Sequence, residues 1–190
     1  GSEIPIAVVG VVSQLNMLVV AFTVGIALGS QPIFGFNYGA KVYSRVIATY
    51  KRALIAVIAV SAVFFACFQL FPREIVGIFV NRNSEMFIEN GELFMQFAER
   101  YIRVFLLMIA LQGLQPLTAT FFTSIGKASK GLFITVTRQG IFMLPLFVIL
   151  PKFFGIDGLI YAGPIADTAA IAMAILFAVL EFRMMSETNA

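Results

Sequence analysis

Charge along this chain is gathered into a few clusters, and long uncharged stretches lie between them. Residues 4–40, 53–72 and 104–126 contain no Asp, Glu, Lys or Arg. Residues 131–151 contain only Arg138, and residues 158–180 only Asp167. Each stretch is close to or above the roughly 18–20 residues a helix needs to cross about 30 Å of hydrocarbon. Only helices and closed barrels satisfy their backbone groups there. Barrel strands alternate apolar and polar residues with period two, and the run LIAVIAVSAVFFACFQLF does not. The pattern predicts an all-α membrane protein with five transmembrane helices.

The first uncharged run is longer than a span requires. A helix is expected from about residue 8 to about residue 36, after a short loop around Glu3-Ile4-Pro5. Pro32 lies inside it, where a missing N–H and a ring clash predict a kink. Between spans two and three lies a charged connection, residues 73–100, with Met86, Phe87, Phe94, Met95 and Phe97 interleaved among its acids and bases. An amphipathic helix is expected over about residues 83–97, lying in the interface or packed over the bundle end. Asn81, Asn83 and Asn90-Gly91 read as turn signals.

Orientation follows from the bases. The loop after span one holds Lys41, Arg45, Lys51 and Arg52, and the loop after span three holds Lys127 and Lys130. Lys and Arg in short loops mark the cytoplasmic side. The chain start and residues 73–100 are then extracytoplasmic, and the tail with Arg183 is cytoplasmic, in a multi-pass membrane protein. Five spans with an external start and no initial Met suggest that preceding helices belong to the same protein.

Composition removes several function classes. Hydrophobic residues make up 60% of the 190 and charged residues 12%, against about 25% charged in soluble domains. With no histidine and one cysteine, Cys67, the chain offers no metal-ligand spacing, disulfide or His-based triad. The segment G-F-N-Y-G-A-K lacks phosphate-loop spacing. The chain is therefore read as non-enzymatic, with no cofactor, no metal and no nucleic-acid partner.

A weak parallel repeat runs through the chain. Residues 26–32 read IALGSQP and residues 109–116 read IALQGLQP, so Gly29, Gln31 and Pro32 match Gly113, Gln115 and Pro116. Basic turns follow, at Gly39-Ala40-Lys41 and Gly126-Lys127-Ala128. Such repeats are common in secondary transporters. Polar groups at membrane depth are costly and mark cavities or interhelical bonds. Gln31, Asn37, Gln112 and Gln115 are the substrate-cavity candidates, with interhelical hydrogen bonding as the other reading, and Pro32 and Pro116 are the kink candidates. Phe34, Phe36, Phe121 and Phe122 are placed to stack on flat organic cations or to pack the bundle. Counted from the span ends, Arg138 and Asp167 differ in depth by roughly 4–5 Å. They form a candidate buried ion pair, tying spans four and five together or serving passage, unless Arg138 snorkels. Asp167 reads as the only buried acid.

The segment from Gln31 to Lys41, QPIFGFNYGAK, followed by Arg45-Val46, resembles a hallmark of the multidrug and toxic compound extrusion (MATE) transporters. Thr137-Arg138-Gln139-Gly140 with Pro145 resembles that family's penultimate helix, and Gly155-Ile156-Asp157-Gly158 with Gly163-Pro164 and Asp167 its last. The resemblance implies a twelve-helix, two-lobed transporter of which these spans are helices eight to twelve. Its partners would be the missing first lobe and helix seven, membrane lipid, a cationic organic substrate, and a coupling proton or sodium. Some sodium-coupled members carry an acid in helix ten, but residues 101–124 here have an Arg and no Asp or Glu. That implies a coupling acid outside this chain. A lipid-linked flippase of the wider superfamily and a non-transporting assembly subunit are the competing readings.

Overall fold

The computed structural model describes residues 3–80 and 85–188. The turn signals Asn81 and Asn83, and Arg82, lie outside the described residues. The first helix, α1 (Glu3–Gly39), is uninterrupted. Residues 3–5 were expected as a loop, but they form its first turn. A proline there removes no hydrogen bond, because the first amides of a helix have no partner. α1 also continues through Pro32 as one helix. Then come α2 (Tyr43–Leu70) and the short α3 (Pro72–Phe79), which opens on its own proline.

α4 (Glu85–Phe105) absorbs most of the expected amphipathic helix and runs on toward the next span. Asn90-Gly91 lies within it rather than at a turn. The reason is packing: Phe94, Ala98, Tyr101, Ile102 and Phe105 fall at helical spacing, and all are buried. The third span is therefore not one straight rod. α4 is followed by α5 (Ile109–Gln112) and α6 (Leu114–Ser124), and the chain bends by 44° between Gly91–Phe105 and Ile109–Ser124. At the break Leu107 and Ile109 bond three residues back rather than four. Pro116, the second kink candidate, is the third residue of α6; its missing N–H leaves the Gln112 carbonyl without its usual donor, where Gly113 separates α5 from α6.

The fourth span is α7 (Ala128–Val136), a π-helical stretch (Thr137–Met143) and α8 (Leu144–Phe154). The wider winding comes just before Pro145, whose missing N–H leaves the Ile141 carbonyl without its usual donor, and Leu144 N–H bonds Gln139 O, five residues back. Gly155, at φ +58°, turns the chain into α9 (Ile156–Thr188). Among the described residues four helices are long and apolar enough to cross a membrane, and five spans result when the bent pair counts as one.

α1 packs along α2 and α6, α6 along α7, and α9 along α8, the π-helical stretch, α4 and α6. In lipid there is no hydrophobic drive between helices, so close backbone approach and packing carry association. α9 supplies this with Ala162, Ala166, Ala170, Ala174 and Ala178, every fourth residue and all buried. The core divides by level. One cluster, near the basic loops, centres on Phe34, Tyr50, Phe121 and Phe122. The other, toward α3 and the start of α4, centres on Val8, Val12, Phe68, Phe94 and Ile102. "Basic end" below means the end that carries Lys41 and Lys127.

Candidate functional site

Register between α1 and α6 decides which candidates can meet. A Cβ on Gly113 would touch Thr23, and one on Gly35 would approach the Ser124 carbonyl at 3.2 Å. The helices are thus parallel with an offset of 89–90 residues. Gln31 lies level with Thr120, about 7–8 Å nearer the basic end than Gln115. The two repeat glutamines do not share a level.

Their surroundings also differ. Gln31 is half-buried and Pro32 is exposed. Gln115 is buried and donates from Nε2 to the Ile134 carbonyl of α7 at 2.9 Å. Gln112 is buried, and its Oε1 has no hydrogen-bond partner among the described residues. Asn37 is buried and donates from Nδ2 to the Ile33 carbonyl within α1 at 2.8 Å. Of the four cavity candidates, only Gln31 presents an accessible, unengaged amide among the described residues. Asn37, Gln112 and Gln115 are all buried within the chain itself.

The aromatic candidates separate in the same way. Phe34, Phe121 and Phe122 are fully buried, and Phe36 is 78% exposed. Phe121 packs edge-on against Phe34, Tyr50, Phe122 and Phe182. The Tyr50 hydroxyl lies 2.7 Å from the Thr118 hydroxyl, which itself donates to the Leu114 carbonyl. These rings form the core, and stacking on a ligand is open only to Phe36.

Arg138 and Asp167 meet. Arg138 Nε donates to Asp167 Oδ1 at 2.7 Å, and both side chains are largely buried. The π-helical winding places Arg138 opposite α9. On the outer side of that stretch lies an open groove of about 500 Å³, whose walls include Thr135, Gln139, Gly140, Met143 and Phe147. Among the described residues no Asp or Glu lines it.

Asp167 is not the only buried acid. Glu181, 1% exposed, pairs with Lys127 and, at 3.1 Å, with Lys130. Lys130 also sits 5.4 Å from the Phe122 ring centre. Partial desolvation pulls the Lys127 pKa down, but contact with Glu181 and Tyr38 outweighs it, so the ammonium is held above its ordinary value. The sequence signal for Glu181 was a lone acid in LFAVLEF, one residue past an uncharged run. At the other end Arg73 bridges Glu92 and Glu99, and Arg100 pairs with Asp157. Among the described residues no cluster of three or more acids or cysteines could hold a metal.

Three comparisons bear on this arrangement. The family model described as MatE matches residues 2–149. No curated relative matches the chain. Among solved structures, the fold is similar to an inward-facing multidrug resistance MATE family transporter of the MOP superfamily, with 19% identity, 97% of this chain, 41% of that one and a TM-score of 0.86. It is similar to an outward-facing one with 18% identity, 98% and 40% coverage and a TM-score of 0.87. It is also similar to the MATE multidrug transporter DinF-BH, solved as a complex, with 32% identity, 93% and 38% coverage and a TM-score of 0.73. The chain spans about two fifths of the length of these transporters.

Proposed function

The chain belongs to the MATE transporter family, and from that premise we propose that it forms most of one lobe of a two-lobed secondary transporter. That transporter exports cationic amphiphilic compounds in exchange for protons or sodium. Its other parts are the first six-helix lobe and a seventh helix. It sits in the inner membrane with the basic end cytoplasmic, and residues 73–100 form the extracytoplasmic connection.

One observation carries the reading. The fold matches inward-facing and outward-facing relatives equally well, with TM-scores of 0.86 and 0.87. A lobe whose internal fold is the same in both states is suited to rocking as a rigid body. Within it, Gln31, Phe36 and the groove along α7 and α8 form this lobe's share of the cavity wall. The groove's apolar face and neutral Gln139 and Thr135 suit an amphiphile. Asn37, Gln112, Gln115 and the Arg138–Asp167 pair hold the wall in shape. Asp167, already engaged by Arg138, is poorly placed to exchange a cation, so coupling falls to an acid beyond this chain.

The test is transport by the full-length protein in proteoliposomes, with ethidium as a fluorescent, flat, cationic probe. Ethidium should accumulate against its gradient when a proton or sodium gradient is imposed, and an ionophore should abolish this. Flux that ignores both gradients and does not saturate would instead mean a channel. No ethidium movement but exchange of a lipid-linked substrate would mean a flippase, and neither activity would leave an assembly subunit.

A further inference from the structure

At the basic end, on the face of α9 turned away from Glu181, a second groove of about 430 Å³ opens between α2 and α9. Its apolar wall is Ile47, Val179 and Phe182, and Lys51 and Arg183 stand at its mouth with Ser186 and Glu187. Phe182 is a fixed floor, packed edge-on against Tyr50 at 5.0 Å and against Phe121 at 5.6 Å. The Tyr50–Phe182 contact sets Lys51 and Arg183 at one level. Glu181, paired with the Lys127 turn, sets that level at the end of the span. The two bases differ from Lys127 and Lys130 in one respect: both are exposed, and among the described residues no ion pair or hydrogen bond engages either of them.

We infer that this groove is a binding site for an anionic phospholipid. Two unpaired cations at the membrane boundary, with an apolar furrow running from them into the membrane, match a lipid phosphate with its acyl chain beneath. A soluble anion would use the cations but have no use for Ile47, Val179 and Phe182. Arg supplies a planar fork for phosphate oxygens and Lys a flexible point charge, and Ser186 adds a hydroxyl donor. Glu187 opposes an anion and makes the site weaker than the bases alone would. The inference rests on α2 and α9 spanning a bilayer and does not depend on what the protein transports.

The experiment is native mass spectrometry of the full-length protein titrated with phosphatidylglycerol or phosphatidylcholine. Phosphatidylglycerol should be retained about tenfold over phosphatidylcholine. The Lys51→Gln/Arg183→Gln double variant should bring the ratio to within about twofold. Glu187→Gln should raise it two- to threefold. Lys41→Gln/Arg45→Gln, at the same basic end but outside the groove, should leave it unchanged. A preference that survives the Lys51/Arg183 substitutions, or that falls equally with Lys41/Arg45, would overturn the site in favour of a diffuse surface field. Glycerophosphoglycerol, a headgroup without tails, should not displace the lipid at equal concentration; displacement would make this a free-anion site. With the exposed Cys67 first replaced by alanine, Ser186→Cys should react with a maleimide in lipid-depleted detergent. Protection there would mean that another segment of the protein fills the groove, and the inference would fall.

Discussion

Two stretches of the same short motif are used in opposite ways. In the first, Gly29, Gln31 and Pro32 lie in an unbroken helix, and a Cβ on Gly29 would meet nothing within 4 Å. In the second, Gly113 is the crossing point of three helices. A Cβ there would lie 2.4 Å from Val57 Cγ1 and 2.7 Å from Thr23 Cγ2. Among the described residues no hydrogen bond engages the Gln31 amide, whereas Gln115 is bound to Ile134. Yet both arms end in the same backbone turn. Val42 N–H bonds Asn37 O around Lys41 at φ +57°, and Lys127 N–H bonds Phe122 O around Gly126 at φ +79°. This closure normally takes glycine at the left-handed residue. The repeat thus preserves backbone geometry, while the surroundings assign the side chains. One arm lies at the surface of the chain, and the other packs where three helices cross.

The contrast can be broken most severely just beyond the second arm. Arg138 follows Ile134 by one turn and is held by Asp167; α1 carries no charged residue beyond Glu3 and so no equivalent pair. Asp167→Asn leaves a buried guanidinium without its counter-charge and should cost about 3–5 kcal/mol. The Arg138→Leu/Asp167→Leu double variant should cost clearly less than the sum of its single changes, as read by thermal unfolding of the full-length protein in detergent. Additive losses would mean the pair contributes nothing as a pair. Next in size, Gly113→Ala should lose about 1–3 kcal/mol, because two β-branched side chains must move. Gly29→Ala should be neutral or slightly stabilising. Equal effects at the two glycines would remove the contrast.

Gln115→Leu should lose about 1 kcal/mol, in the range measured for interhelical bonds in membranes. Gln31→Leu should leave the melting temperature nearly unchanged and lower ethidium transport. The reverse pattern would exchange the roles of the two arms. Smallest of all, Lys41→Gly should stabilise by about 0.5–1 kcal/mol by relieving a left-handed lysine. Gly126→Ala should destabilise by a similar amount, and both are readable as shifts in thermal midpoint.

The spans were legible because the absence of charge is a local property, visible residue by residue in runs such as 53–72. What stayed hidden depends on neighbours. Pro116 reads as a kink and stands just past the α5–α6 break, but the larger bend at Leu106–Met108 has no breaker residue to announce it. Asn90-Gly91 reads as a turn until the buried face of α4 overrides it. Depth counting brought Arg138 and Asp167 together, but the π-helical winding that aims Arg138 depends on hydrogen bonds no spacing rule states. Glu181 stands where charged residues resume after residue 180, so the sequence reads it as solvent-facing; its burial depends on the α6–α7 turn folding over it. For the candidate site, polar residues at membrane depth are readable along the chain but their register is not, and register separates Gln31 from Gln115.

The most direct test of the account is cysteine accessibility in the full-length protein, with the exposed Cys67 first replaced by alanine. Gln31→Cys and Gln115→Cys would each be challenged with a membrane-impermeant maleimide, with and without ethidium. Gln31→Cys should be labelled and ethidium should protect it, while Gln115→Cys should stay unreactive in both conditions. Labelling at residue 115 that ethidium blocks, with residue 31 inert, would contradict the division between a surface arm and a buried one.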